Sequence, residues 1–195
     1  MKKNNNLIGI SGKKQSGKDT FYNLWQKIII RNNLEDCIGF YENKKFADNL
    51  KNICTIITGK PNIWFHNNKY YSKKLKDWGN ITVREMQQII GSNVLRDNFD
   101  KDIWIKSLFG NYIPKESKWI ITDVRYPNEV KAIKDKKGIL IRINRPKLKN
   151  NDNHISEIAL DHYDDFDYII DNNSSLIKYE ENIYTIINNI ISERW

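Results

Sequence analysis

The most constraining feature of this sequence is a glycine-bounded loop near its amino end, Gly12-Lys13-Lys14-Gln15-Ser16-Gly17-Lys18. The loop follows a short apolar segment, residues 7–11, that predicts a buried strand, and it opens a helical pattern over about residues 18–33. In such a loop the glycines allow backbone N–H groups to surround a phosphate, and the amino end of the helix adds a favourable dipole. The sequence therefore predicts a phosphate-binding loop between a strand and a helix.

The phosphate-binding loop also suggests how a metal ion is held. Lys18 is expected to lie exposed at the helix start and to place its charge on the β- and γ-phosphates of a nucleotide. The next residue is Asp19, where such loops usually carry the serine or threonine that ligates Mg²⁺. We therefore expect Mg²⁺ to be held through water by Asp19 or by Asp123, which leaves Thr20 to contact a phosphate. The residues predicted to bind the nucleotide phosphates are Gly12, Lys13, Gln15, Ser16, Gly17, Lys18, Asp19 and Thr20.

A second apolar segment, Trp119-Ile120-Ile121-Thr122, is followed by Asp123. This pattern predicts a buried strand that ends in a carboxylate, and open α/β sheets bind ligands at the carboxyl ends of their strands. Asp123 and Arg125 alternate onto one side of an extended chain. A carboxylate for the metal and a guanidinium for a phosphate would then face one crevice. A salt bridge at the strand end is the structural alternative.

Arginine is scarce in this chain, since only seven of its 32 basic residues are arginines. The planar guanidinium binds a phosphate through two parallel hydrogen bonds, which the ammonium of lysine cannot copy. Arginine therefore indicates places where lysine would not serve. Arg31 and Arg194 resemble ordinary surface residues. The arginines that fall beside candidate site elements are Arg84, Arg96, Arg125, Arg142 and Arg145.

A helix is predicted from residue 83 to about residue 98, with Thr82 as its cap and Glu85 completing a capping box. Arg84 and Gln88 are four residues apart and share a face with Gly91. Together they offer a cation, an amide and a gap for a phosphate and a base edge. An amphipathic surface helix explains Arg84 and Gln88 equally well.

Strands and helices alternate along the remaining chain. Further strands are predicted at 38–46, 139–144 and 168–170, and further helices from 47, over 128–136 and over 176–192. This order predicts an α/β fold, a parallel sheet flanked by helices, within a single domain over residues 1–195. Residues 59–80 are interpreted as an insertion over the sheet, and residues 145–162 as a mobile loop or lid.

With these elements in order, the chain resembles the deoxynucleoside monophosphate kinases of bacteriophages and other large DNA viruses. The likeness covers nearly the whole chain and is weakest between residues 59 and 80. It implies a P-loop NTPase fold with acceptor-binding and lid sub-domains, ATP as phosphate donor, Mg²⁺ as cofactor and a deoxynucleoside monophosphate (dNMP) as acceptor. The residues that carry it lie at 11–20, 46–51, 82–91, 96, 102–104, 123–129, 145–146 and 154–157.

The resemblance also implies roles for particular residues. An acceptor-binding region over about 47–112 is expected, and the acceptor-side residues are Asp48, Arg84, Gln88, Arg96, Trp104, Arg125 and Glu129. A lid over about 145–162 is expected to close through a hydrogen-bond network, and the residues assigned to it are Arg142, Arg145, His154, Ser156 and Glu157. A phosphate monoester loses its second proton near pH 6, so the acceptor oxygen attacks without a base. The enzyme must then align two anions and neutralise them, for which Lys18, Arg125 and Arg145 are the catalytic candidates.

Two other functions agree with parts of the sequence. Animal-type phosphomevalonate kinases share the Gly-Lys-Asp sequence and an acidic Ser-Glu segment, although Gln88 and Trp104 suit a base better than an aliphatic acid. A nucleic-acid-binding ATPase would use the net charge of +8, but the basic residues are scattered and Lys-, Asn- and Ile-rich composition explains the charge. Two cysteines without metal-ligand spacing and the absence of a long apolar run predict a soluble, cytoplasmic protein, in the host cell if viral, without a membrane partner. A homodimer stays open.

Overall fold

The computed structural model describes residues 3–146 and 154–193. Two compact units make up the chain. The first unit comprises the chain up to Lys44 and from Ile113 onward, and the second unit comprises Lys45–Tyr112. The limits of the second unit lie close to the range 47–112 that was predicted as the acceptor-binding region.

Strands and helices alternate as the sequence predicts. The strands are β1 (Asn4–Ser11), β2 (Glu42–Lys44), β3 (Lys74–Leu75), β4 (Ile81–Thr82), β5 (Trp119–Val124), β6 (Gly138–Asn144) and β7 (Tyr168–Asp171). The helices are α1 (Lys18–Arg31), α2 (Glu35–Ile38), α3 (Asp48–Thr58), α4 (Asn62–His66), α5 (Val83–Gln88), α6 (Ile103–Phe109), α7 (Pro127–Asp135), α8 (Ile155–Ile158) and α9 (Leu176–Ser192). A π-helix, Ile89–Arg96, continues directly from α5.

The first unit is built on a five-stranded parallel sheet in the order β2-β5-β1-β6-β7. Ile8 and Ile10 of β1 pack in one core with Phe21 and Trp25 of α1. Gly9, between them, faces Ile133 of α7. Since successive residues of a strand point to opposite faces, α1 and α7 cover opposite sides of the sheet. The predicted parallel sheet flanked by helices is confirmed.

Strand β1 lies between β5 and β6 in the sheet. Of the strands that follow β1 in this sheet, β2 and β5 lie on one side of it, whereas β6 and β7 lie on the other. The residue that ends β1, Ser11, is paired with Val124 of β5 and with Arg142 of β6. Such a switch point leaves a crevice at the carboxyl ends of the strands, where open α/β sheets bind ligands. The residues that follow Ser11 and Val124 therefore lie at the edge of the sheet where a ligand is expected to bind.

The second unit has a small apolar core of its own, made of Cys54, Phe65, Leu75, Val83 and Met86. The predicted capping box of α5 is confirmed, since the Glu85 N–H donates to Thr82 Oγ1 at 3.0 Å and the Thr82 N–H donates to Glu85 Oε2 at 2.6 Å. Residues 59–80 contribute Phe65 and Leu75 to this core, so they are an integral part of the second unit. One sequence interpretation needs correction here. The predicted helix over 83–98 is α at its start and π from Ile89 onward.

One predicted strand of the first unit is also much shorter than expected. Of residues 38–46, only Glu42–Lys44 forms a strand, and α2 ends at Ile38. Gly39, with φ of 71°, turns the chain between them. The apolar residues Ile38 and Tyr41 give this part of the sequence the pattern of a single buried strand. Both residues are buried, but they lie outside β2.

Candidate active site

The phosphate-binding loop occupies the switch point after β1, as its sequence predicts. A Cβ atom on Gly12 would lie 2.6 Å from the carbonyl oxygen of Ile143 and 2.5 Å from Ser16 Oγ, so only glycine fits. Gly17, with φ of 109°, caps α1 in a conformation that side chains rarely adopt. Gln15, with φ of 63°, is also left-handed. The chain thus curls between a strand end and a helix start, which is the geometry that presents N–H groups to a phosphate.

Two residues from the carboxyl-terminal part hold this loop from behind. Asn172 Nδ2 donates to the Ser16 carbonyl at 2.9 Å, and the Tyr179 hydroxyl donates to the Gly17 carbonyl at 3.1 Å. Tyr179 is buried, and burial raises the pKa of its phenol, so the hydroxyl stays a donor. Sequence reasoning missed both residues. The available signal was the position of Asn172 directly after β7, at the same sheet edge as the loop.

Lys18 is half-buried, which corrects the prediction that it is exposed at the helix start. Its ammonium donates to the carbonyls of Gly12 at 2.5 Å and Lys13 at 2.7 Å, so the side chain lies back along the loop. Burial, followed by the nearby Arg125, lowers the pKa of Lys18 to about 8 against the opposing charges of Glu157, Asp19 and Asp123. The lysine and this arginine therefore share one electrostatic environment.

Arg125 follows β5 directly and is tied down at both ends. Its guanidinium Nη1 donates to Glu157 Oε1 at 2.6 Å and to Ser156 Oγ at 3.2 Å. Its backbone N–H donates to Glu129 Oε2 at 2.8 Å. Burial alone would lower the pKa of Arg125, but the charges of Glu157 and Asp123 outweigh it and the pKa is raised. Arg125 is thus a permanent cation at the edge of the sheet that carries the phosphate-binding loop.

The predicted acceptor contact of Glu129 is replaced by a structural role. Glu129 is 2% exposed, and its Oε2 accepts the backbone N–H groups of Arg125 and Tyr126. A carboxylate at the third position of α7 satisfies amides that the helix start leaves without partners. Glu129 therefore fixes the backbone that carries Arg125.

The segment His154–Asp161 lies against the phosphate-binding loop. Glu157 Oε2 accepts the Lys14 N–H at 2.8 Å, and Asp161 Oδ2 pairs with Lys13 Nζ at 2.6 Å. His154 Nδ1 lies 2.8 Å from Ser156 Oγ, which in turn contacts Arg125. These contacts form a hydrogen-bond network at the end of the range predicted as a lid. The part of that range at residues 147–153 lies outside the described residues.

The two arginines assigned to the lid have different positions. Arg142 lies within β6, where Nη1 donates to Ser11 Oγ at 2.9 Å and Nη2 is 3.7 Å from Asp161 Oδ1, so its assignment to a lid is wrong. The strand pairs with β1 at this point, which places Arg142 beside the start of the loop. Arg145 follows β6, and its Nη1 donates to the Gln15 carbonyl at 3.2 Å. Both guanidinium groups therefore contact the loop or the residue before it.

Within the second unit, the structure separates packing residues from accessible ones. Trp104 is 4% exposed, and its Nε1 donates to the Gly91 carbonyl at 3.0 Å, so its ring is part of the packing and the prediction that it contacts a base is wrong. Gly91 is buried too, and it leaves no gap for a base edge. The remaining predicted acceptor residues are half-buried: Asp48, Arg84, Gln88 and Arg96. Asp48 Oδ1 lies 3.8 Å from Lys51 Nζ.

A parallel sheet with its phosphate-binding loop at the switch point, and with a lysine and an arginine held beside that loop, defines a P-loop nucleotide-binding protein. The model of the family described as deoxynucleotide monophosphate kinase matches residues 26–183 of this chain. Because this range is most of the chain, the protein belongs to the deoxynucleotide monophosphate kinase family and is an enzyme of the kinase class.

Individual relatives agree with this assignment. The chain is 29% identical to the putative deoxynucleotide monophosphate kinase of Acanthamoeba polyphaga mimivirus over 94% of this chain and 96% of that protein. It is 31% identical to the deoxynucleotide monophosphate kinase of Enterobacteria phage T4 over 56% of this chain and 45% of the phage protein. The homologous enzyme of Escherichia phage RB69 is 26% identical over the same shares of the two chains. None of the helices in the described part of the chain is long and apolar enough to cross a membrane.

Proposed function

We propose that this enzyme transfers the γ-phosphoryl group of ATP to the 5′-phosphate of a deoxynucleoside monophosphate, which gives ADP and the deoxynucleoside diphosphate. The observation that carries the proposal is the joint placement of Lys18 and Arg125 at one sheet edge, beside the loop after β1. Membership of the kinase family supports the same reaction. Phosphomevalonate kinase and nucleic-acid-dependent ATPase have no support among the relatives.

ATP is the proposed donor, and the phosphate-binding loop is its proposed site. The backbone N–H groups of the loop and of the first turn of α1 would surround the β-phosphate, because Gly12 and Gly17 give the chain the required curvature. Asp19 and Thr20 are exposed at the start of α1, where they are accessible to a nucleotide. Lys18 would exchange its contacts with the loop carbonyls for phosphate oxygens.

Mg²⁺ is the proposed metal, held through water by Asp19 and Asp123. The charges of both carboxylates act on Lys18, which places them in the same electrostatic environment as the phosphate-binding loop. Hard oxygen donors suit Mg²⁺, which usually retains several waters and binds through one or two carboxylates together with substrate phosphates. When bound, the ion would neutralise charge on the transferring phosphoryl group.

The metal assignment has a direct test in Asp123→Asn. If Asp123 holds the ion, the variant should need a higher Mg²⁺ concentration for half-maximal rate, while its KM for dNMP stays close to the wild-type value. A titration of rate against Mg²⁺ at saturating ATP and dNMP measures both effects. An unchanged Mg²⁺ requirement would reassign Asp123 to a structural role.

The 5′-phosphate of the acceptor is proposed to bind to the Arg125 guanidinium. That phosphate carries close to two negative charges at neutral pH, so the reaction needs alignment and charge neutralisation. Arg125 and Lys18 supply fixed positive charge, and Arg145 is proposed to act on the transferring group. In the second unit, Arg84 and Gln88 are proposed to contact the acceptor nucleotide.

Other assignments stay proposals as well. Asp48 and Arg96 are proposed to assist on the acceptor side through the family likeness. A cytoplasmic location and a homodimer stay predictions, which fractionation and light scattering can test.

The reaction is tested by measuring ADP release with each of the four dNMPs, the four ribonucleoside monophosphates and mevalonate phosphate. We expect turnover with one or more dNMPs and none with mevalonate phosphate. Turnover only with mevalonate phosphate would contradict the proposal. ADP release that is independent of any acceptor, and stimulated by DNA, would instead indicate a nucleic-acid-dependent ATPase.

A further inference from the structure

Glu157 is a buried carboxylate with two different kinds of partner. Its side chain is 2% exposed. One oxygen, Oε1, accepts from Arg125 Nη1 at 2.6 Å, while the other, Oε2, accepts the Lys14 N–H of the phosphate-binding loop at 2.8 Å. A buried carboxylate is costly unless it is paired and hydrogen-bonded, so this geometry is held firmly in place. One side chain thus connects the donor loop to the arginine at the end of β5.

The contact between Arg125 and Glu157 leaves part of the guanidinium available. Toward residues 3–146 and 154–193, the side-chain hydrogen bonds of Arg125 both use Nη1, with Glu157 and Ser156 as acceptors. The edge formed by Nε and Nη2 has no partner within those ranges, and the side chain is 33% exposed. That edge is one of the two through which a guanidinium binds a phosphate by two parallel hydrogen bonds. Glu157 therefore orients Arg125 without consuming its phosphate-binding edge.

We propose that Glu157 is a positioning residue of this kinase, which fixes the Arg125 guanidinium beside the phosphate-binding loop with its free edge presented to the acceptor phosphate. The proposal rests on the proposed function in assigning the acceptor phosphate to Arg125. Glu129 holds the backbone of the same arginine, so two buried carboxylates fix it from α7 and from α8. We therefore expect the charge of Glu157 to affect acceptor binding mainly through its contact with Arg125.

The substitution Glu157→Gln separates the two arms of this side chain. Glutamine keeps a carbonyl oxygen that can accept the Lys14 N–H, but it loses the charge that attracts Arg125. We expect the KM for dNMP to rise about tenfold or more, as for loss of a charged hydrogen bond, while the KM for ATP changes less than about threefold. Glu157→Asp, which restores the charge, should recover most of the dNMP affinity. Asp165→Asn is the matched control, since Asp165 pairs with Lys134 away from the loop.

A double-substitution cycle tests whether Glu157 acts through Arg125. In an Arg125→Ala background, Glu157→Gln should change kcat/KM for dNMP by less than about twofold, because the group that it positions is gone. A purely structural role predicts a different pattern. In that case Glu157→Gln would lower the melting temperature and kcat, leave both KM values unchanged, and add its full effect to Arg125→Ala. That pattern would overturn the proposal.

A measurement without turnover keeps the test independent of the proposed reaction. In protein with nitrogen-labelled arginine side chains, NMR reports rotation of each guanidinium, and the Arg125 signal is assigned by its loss in Arg125→Lys. Rotation should be slow in the wild type and in Asp165→Asn, and fast in Glu157→Gln. Fast rotation in the wild type would refute the positioning role even if dNMPs are phosphorylated. Slow rotation in an enzyme that turns over no dNMP would refute the proposed function alone.

Discussion

The two units of this kinase place their charged residues according to different rules. In the first unit, Lys18, Arg125 and Glu157 come from segments far apart in sequence and meet at the carboxyl ends of parallel strands. In the second unit, the predicted acceptor residues Arg84 and Gln88 are carried by one short helix that packs on a small apolar core. Sheet topology fixes position in the first unit, whereas helical periodicity fixes only a face in the second. Substitutions in the first unit should therefore have large effects on kcat or KM. In the second unit, some substitutions should change the dNMP KM and others only the stability.

The largest expected effect comes from Lys18→Ala. Removing this ammonium should lower kcat by roughly 10² to 10⁴, the range for comparable charge-stabilising groups. The fold should survive, because the lysine contacts only carbonyls of its own loop among the described hydrogen bonds. Steady-state kinetics and a thermal melt check both expectations. Lys27→Ala is the control on the same helix, because its side chain is 62% exposed. A variant that keeps more than about a tenth of the wild-type rate would disprove the assignment of the loop.

Arg125→Lys should give the next largest effect. It keeps the charge but loses the two-bond edge, so kcat/KM for dNMP should fall about tenfold or more, chiefly through KM. The KM for ATP should barely change.

Arg145→Lys should instead lower kcat with little change in the dNMP KM, because Arg145 contacts the donor loop at Gln15. Arg31→Lys is the control, since Arg31 pairs with Glu180 in an accessible position. Identical behaviour of all three variants would remove the functional meaning of arginine scarcity.

The binding of ATP should depend on pH through Lys18. Because burial lowers its pKa to about 8, the side chain is charged at pH 7 and loses its proton as the pH rises. The charged form is the one that binds phosphate. The Kd for ATP should therefore be nearly constant below pH 8 and rise above it, and the rise should approach roughly tenfold per pH unit. Calorimetric titration between pH 7 and about 9.5 measures this change. Lys18→Arg keeps its charge over that range and should show a constant Kd. A constant wild-type Kd would contradict the assignment.

The smallest effects are expected in the second unit, where they should divide by residue. Trp104→Phe removes the donor to the buried Gly91 carbonyl and should destabilise the protein by about 1–3 kcal/mol, with the dNMP KM unchanged. Gln88→Ala should do the reverse, raising the dNMP KM while stability changes by no more than about 0.5 kcal/mol. Urea unfolding and kinetics on the same preparations decide the matter. A raised KM in Trp104→Phe would restore this residue to the acceptor site and weaken the contrast between the units.

The sequence predicted the first unit well because its motif constrains geometry at several levels at once. A glycine pattern between an apolar strand and a helix has few structural solutions, and strand ends of a parallel sheet must share an edge. The loop and the placement of Arg125 beside it followed from that. What the sequence could not show is that Glu157 would pair with Arg125 and Lys14 rather than only close a lid, because those contacts join segments more than thirty residues apart.

The errors at Trp104, Gly91 and Glu129 have related physical causes. Trp104 is polar at one atom and apolar elsewhere, so the same residue suits either a base or a core, and only the packing of α6 decides between them. Gly91 presents the same ambiguity between a gap and a close contact. Glu129 was misassigned for a related reason, since a glutamate at the third position of a helix serves equally as a ligand or as a cap. Packing between segments settled the cases of Trp104 and Gly91, whereas local capping contacts settled that of Glu129.

The most direct test of the central claim is a transfer experiment with ATP labelled in its γ-phosphoryl group. The wild-type enzyme, ATP, Mg²⁺ and each dNMP would be incubated, and the products separated by chromatography. If the loop and Arg125 align donor and acceptor phosphates, the label appears in the deoxynucleoside diphosphate and is lost in Lys18→Ala. Label found only in inorganic phosphate, at a rate indifferent to the dNMP, would show that the site hydrolyses ATP and would contradict the assignment.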